Sequence, residues 1–241
     1  MGIPNKFAVI SDARSGTSLL TATLNSHPEV VCHGEIFHKS PKDFHIKVPK
    51  EEVNPEDLLS LRENDTEKFV ELVYNRPGAK SVGFKMWRSQ NSEYCDKVLA
   101  DESVSKIIYE RSNVLAKFSS SILAKETGVW NVNSGAARPK VLDKKLSFNP
   151  QQFLTYVNRH ENLFKLYRNK AKGKVLDLSY LDVVGRGFSE VLEFIEVSNI
   201  DLKPQKEKLH SSSIIDRFED SDHNIIIQTL NDINHPEWIQ E

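Results

Sequence analysis

The stretch Phe7-Ala-Val-Ile-Ser11-Asp-Ala-Arg14-Ser-Gly16-Thr17-Ser18-Leu-Leu20, continued by Leu24-Asn-Ser-His27-Pro28-Glu-Val-Val-Cys-His33-Gly34-Glu35, decides the fold. Lys6 to Ser11 is a short apolar run bounded by turn residues, which predicts a buried strand. A small polar turn follows, and Ser15 to Asn25 then carries Leu19, Leu20 and Leu24 in a helical pattern. Pro28 ends that helix, because its ring removes a donor and restricts the residue before it. Val30 to His33 reads as a second strand that leads to the carboxylate of Glu35. A Gly/Ser turn between strand and helix exposes backbone N–H groups at the positive end of the helix dipole, so it favours an anion.

Working outward, the same alternation recurs. Helices are predicted from Asn54-Pro55, over Thr66–Tyr74, over Ser92–Ala100, from Asn113 to about Gly128, from Asn149-Pro150 to about Lys170, and over Gly187–Val197. Strands are predicted over Ser81–Trp87, Val104–Tyr109 and Lys174–Leu181, and short helical pieces around Ile214–Phe218 and Ile225–Leu230. Strands separated by helices give an α/β class: a three-layer, P-loop-like fold with a central, mainly parallel sheet and helices on both faces. No repeat or linker interrupts the 241 residues, so a single domain over 1–241 is expected. Ligands in such folds bind at the carboxyl ends of the strands, where Arg14, Glu35, Lys85 and Arg111 all fall.

Bulk composition narrows the partners. A net charge of −2 carries no general nucleic-acid footprint. Two cysteines, Cys32 and Cys95, are too few for a disulfide framework. No apolar run has membrane-spanning length, and Met1 to Phe7 does not read as a secretory leader, so a cytoplasmic setting is expected.

Against the nucleotide-binding pattern G-x-x-x-x-G-K-[ST], Ser11 stands at the first glycine, Gly16 matches the second, Thr17 replaces the lysine and Ser18 supplies the hydroxyl. The missing lysine disfavours triphosphate chemistry. The run Arg14-Ser-Gly-Thr-Ser-Leu-Leu, with Leu-Asn-Ser-His-Pro-Glu-Val and Cys-His-Gly-Glu, resembles the 5′-phosphosulfate loop of sulfotransferases, closest to the carbohydrate-type and tyrosylprotein branches. Ile107-Ile-Tyr-Glu-Arg111 with Ser119 resembles that family's 3′-phosphate site, and Leu178-Ser-Tyr180-Leu181-Asp-Val its later Tyr-Glu-Asp-Leu strand.

The resemblance implies 3′-phosphoadenosine 5′-phosphosulfate (PAPS) as co-substrate, no metal, and in-line sulfuryl transfer to a small-molecule or glycan acceptor. It implies that Ser15, Gly16, Thr17 and Ser18 hold the 5′-phosphate, with Arg14 on the donor as well. Arg111 and Ser119 hold the 3′-phosphate, Glu35 is the general base and Lys85 faces the bridging oxygen. Rival bases are His33 and His38; with Glu35 they lack a His-Glu-x-x-His zinc spacing. The basic loop 36–50 could attract an anionic acceptor, and Trp87 or Trp130 could stack on a ring. The cluster Lys203, Lys206 and Lys208 with His210 could close over the donor. The alternatives are a small-molecule or nucleoside kinase and a non-catalytic nucleotide-binding module.

Overall fold

The computed structural model describes residues 3–39, 46, 54–129, 144–204 and 213–241. Among them five strands form one sheet: β1 (Asn5–Ile10), β2 (Val30–Glu35), β3 (Ser81–Met86), β4 (Val104–Glu110) and β5 (Val175–Ser179). Their order is β2-β3-β1-β4-β5 and every pairing is parallel. The helices are α1 (Thr17–Leu24), α2 (Pro55–Asn64), α3 (Thr66–Tyr74), α4 (Ser92–Ala100), α5 (Val114–Thr127), α6 (Pro150–Lys170), α7 (Tyr180–Arg186), α8 (Ser189–Phe194) and α9 (His223–Asp232).

Period-2 alternation sorts each strand between two cores. Ala8 and Ile10 face Phe84, Met86, Phe69 and Tyr167 on one side. Phe7 and Val9 face Leu20, Leu24, Ile107 and Leu192 on the other. A third cluster joins α5, the start of α6 and α9 around Phe118, Phe153, Phe218 and Trp238. Burial of each such side chain contributes about 1.5–3 kcal/mol. The expected helix starts are present because Asn54, Asn91, Asn113 and Asn149 each accept a backbone N–H two or three residues on.

Two boundaries differ from the sequence reading in ways that shape the site. The second strand does not stop at His33; its register with β3 shifts between His33 and Glu35, which pairs Glu35 with Lys85. Such a bulge re-aims a strand-end side chain. The last strand stops at Ser179 rather than Leu181. Ser179 and Asp182 form a reciprocal capping box, so Tyr180 opens α7 instead of extending β5. Likewise α8 is shorter than the expected 187–197, and Gly187 precedes it with a positive φ of 80°.

Candidate active site

Because the strands are parallel, the loop after β1, Glu35, Lys85 and Arg111 share one edge of the sheet. The loop is bent by two left-handed residues, Arg14 (φ 64°) and Gly16 (φ 82°). For Arg14 this conformation costs roughly 1–2 kcal/mol. At Gly16 it is accessible only because there is no Cβ. A Cβ there would come within 2.6 Å of the Tyr180 ring and 3.6 Å of the Tyr109 hydroxyl. Directly after this bend α1 begins; the Leu19 N–H turns back to the Gly16 carbonyl at 3.0 Å, while those of Thr17 and Ser18 precede the helix's own carbonyl acceptors. Two fully buried hydroxyls in this region, Ser15 Oγ and Tyr109 Oη, have no hydrogen-bond partner among the described residues. A buried polar atom left so costs about 1–3 kcal/mol. The loop therefore has the donor set of a phosphate cradle.

Beside it, Lys85 Nζ lies 3.3 Å from Ser18 Oγ and 3.1 Å from Glu35 Oε1. Lys85 is almost fully buried, and its ammonium sits 5.3 Å from the Trp87 ring centroid. Gln90 Nε2 donates to the other carboxylate oxygen of Glu35 at 2.8 Å, and His38 Nε2 stands 3.9 Å from that oxygen. One carboxylate is thus fixed by an amide on one oxygen and an ammonium on the other. Its side chain keeps 17% exposure, so the carboxylate stays open to solvent. His33, a rival base by sequence, is buried, and its Nε2 meets the Val73 carbonyl at 3.0 Å, so it does not face this edge as a base.

A second set of groups lies across the loop. Arg14 Nε donates to Ser120 Oγ at 2.9 Å. Arg217 Nη1 donates to Ser119 Oγ at 3.0 Å, and Ser119 Oγ donates to the Ala116 carbonyl. Arg111 stacks on the Tyr180 ring, 4.7 Å from its centroid, and its Nε and Nη2 both donate to the carboxylate of Glu241. Burial, and then the charge of Arg111, pushes Arg217 down to about 10 and lowers Arg14 as well.

Beneath both sets runs a buried charged network. Lys117, fully buried, faces Asp12 Oδ2 at 3.3 Å and His160 Nδ1 at 2.9 Å. His160 Nε2 meets Glu110 Oε1 at 2.8 Å. An ammonium can only donate, so Nδ1 is the unprotonated nitrogen and Nε2–H donates to Glu110. Burial, opposed by Glu110 and reinforced by Lys117, holds the His160 pKa below the usual value. The unfolded chain then binds the extra proton, so stability is intact above about pH 6.5 and falls as pH drops toward the lower folded value. In urea titrations between pH 7.5 and 5.5, the wild type should lose stability that His160→Gln keeps, since Gln can make both bonds without titrating. Equal profiles would reject this assignment.

No protein-family model matches the chain. "Nodulation protein H" of Rhizobium tropici is 30% identical over 135 residues, which cover 53% of this chain. The match spans about half of that relative, 49% of its length. Among solved structures, a sulfotransferase from Alicyclobacillus acidocaldarius superposes with a TM-score of 0.52 over 98% of this chain and 95% of its own, at 16% identity. The chain has the sulfotransferase fold. A mouse sulfotransferase, SULT7A1, solved in complex with 3′-phosphoadenosine 5′-phosphate (PAP), gives a TM-score of 0.40 at 11% identity, over 82% of this chain and 61% of its own.

Within this sulfotransferase fold, the residues picked out by sequence fall into two groups at one sheet edge. Ser15, Gly16, Thr17, Ser18, Lys85 and Glu35 line one part; Arg14, Arg111 and Ser119 line the other. Gln90, Arg217, Glu241 and the Asp12–Lys117–His160–Glu110 network carried no local signal. The Ser179-x-x-Asp182 box was visible and would have placed Tyr180 on a helix. Lys42, Lys47, Lys50, Trp130, Lys206, Lys208 and His210 lie outside the described residues. Among the described residues no three His, Cys, Asp or Glu side chains group as metal ligands, and no helix is long and apolar enough to cross a membrane.

Proposed function

We propose that this chain transfers a sulfuryl group from PAPS to an acceptor hydroxyl, of a carbohydrate or glycolipid, with Glu35 as general base. The observation that carries the reading is the chain of contacts from Ser18 through Lys85 to Glu35, set against the cradle of residues 15–18. The donor supplies an activated sulfuryl group whose leaving phosphate gains charge. The N–H groups of residues 15–18 and the Thr17 and Ser18 hydroxyls hold that phosphate. Lys85 holds positive charge beside the bridging oxygen, where preorganised charge lowers the barrier most. Glu35, oriented by Gln90, takes the acceptor proton on the oxygen nearest it. Arg14, Arg111 and Ser119 fit the second phosphate of the donor. The carbohydrate acceptor rests on the resemblance of the opening stretch to the carbohydrate-type branch. A cytoplasmic setting fits Cys32 and Cys95, both buried and neither in a disulfide, the latter thiol pushed up to about 12 by burial.

One observation favours a second reading. Lys85 brings an ammonium to Ser18 Oγ although Thr17 occupies the place of a loop lysine, as a small-molecule kinase would require. A thermal-shift comparison separates the two. PAP at a hundred times its dissociation constant should add about 2.7 kcal/mol of apparent stability, with a smaller response to ATP. A response to ATP with Mg²⁺ and none to PAP would replace the sulfotransferase reading with the kinase.

A further inference from the structure

The Glu241 carboxylate lies against the Arg111 guanidinium and its charge reaches Arg217, and its side chain is only 1% exposed. It accepts both N–H groups of the Arg111 fork, the arrangement that fits a carboxylate or a phosphate equally well. Arg111 also feels Arg14 and Arg217, whose pKa values its charge lowers. A phosphate fits the same fork and brings up to two negative charges to it where Glu241 brings one.

The segment that delivers Glu241 is fastened independently of it. Asn113 Nδ2 donates to the Trp238 and Gln240 carbonyls, Ser213 bridges Gln240, and Trp238 is buried against Phe153. Vacating Arg111 therefore requires one side chain to swing away and leaves its backbone anchored.

We propose that the Glu241 side chain is a built-in competing anion that occupies the fork of Arg111 until a ligand phosphate displaces it, so that it sets the affinity and selectivity of this subsite. The inference rests on the donor reading above in identifying that phosphate as the 3′-phosphate of PAPS. It offsets part of what the second phosphate contributes, because a ligand that carries that phosphate must displace Glu241 and a ligand lacking it leaves Glu241 in place.

Isothermal titration calorimetry of wild-type protein and Glu241→Gln with PAP and with adenosine 5′-monophosphate tests it. Glu241→Gln should bind PAP about tenfold more tightly and the monophosphate with unchanged affinity. If the wild type binds PAP and Glu241→Gln binds it equally or more weakly, Glu241 merely orients Arg111; the inference is overturned and the donor reading stands. If neither protein binds PAP, the donor reading fails and inorganic phosphate decides the inference. A larger phosphate-dependent rise in Tm for Glu241→Gln than for wild type supports displacement, and equal rises overturn it. Glu241→Ala, which removes the carboxylate without adding an amide, repeats the comparison should the Gln variant fold poorly.

Discussion

If Glu35 is the base proposed above, Glu35→Gln should lower sulfuryl transfer by on the order of 10²–10⁴-fold, the range supplied by a positioned general base, while PAP affinity stays within a few-fold of wild type. The substitution keeps the side-chain shape. Its amide oxygen can still accept from Gln90 or from Lys85, so the strand end and the bulge at Glu35 are preserved. What it removes is the capacity to take a proton. On the proposed reading the effect therefore falls on kcat, because the donor contacts proposed above are the loop and the arginines on other elements. The measurement is PAP release from PAPS with a panel of glycan acceptors, paired with PAP calorimetry. Turnover near wild type would remove Glu35 as the base and leave His38, 3.9 Å from its carboxylate, as the next candidate. Lys85→Met behaves differently in this scheme, since it strips charge from both Ser18 and Glu35 and so moves donor affinity and turnover together.

How much of this could be read from the chain depends on how far apart the interacting groups lie. The sheet and most helices were legible, because a strand needs only its own apolar run and a helix start needs only an Asn and the residues just after it. The cradle was legible for the same reason: Arg14, Gly16 and Ser18 lie on one continuous turn. The strand end at Ser179 was misread because Val175-Leu-Asp-Leu-Ser-Tyr-Leu continues a strand-like pattern, and the local cap overrides it. His33 looked like a base in the Cys-His-Gly-Glu run, but its neighbour is Val73, 40 residues on. Gln90 meets Glu35 from 55 residues away, Arg217 meets Ser119 from 98, and Glu241 meets Arg111 from 130. Pairings of that kind come from topology, and no spacing rule announces them.

Asp12→Ala destabilises the fold by about 3–5 kcal/mol, the penalty for leaving a buried partner charge uncompensated. That corresponds to a Tm drop on the order of 10 °C for a chain of this size. Asp12 is almost fully buried, and its Oδ2 faces Lys117 at 3.3 Å and the exposed Arg159 at 3.5 Å. Without it, the buried Lys117 keeps the neutral His160 imidazole and the Phe164 ring as its near partners among the described residues, with the Glu110 charge beyond them. Lys117→Met should cost less, because Asp12 retains Arg159 and the apolar side chain fills the space. The double variant should then be nearly as stable as Lys117→Met alone, so the two substitutions are strongly non-additive. The sign with pH identifies the cause. Burial already lowers the Lys117 pKa, and Asp12 raises it; removing Asp12 lowers it further. Folded Asp12→Ala then sheds a proton that the unfolded chain keeps, so its stability rises with pH and its deficit narrows between pH 7 and about 9.5. A deficit that stays constant over that range would point to lost packing rather than a stranded charge. Because Asp12 sits two residues before Arg14, the same variant should also weaken PAP binding, which ties the cradle's geometry to the charge buried beneath it.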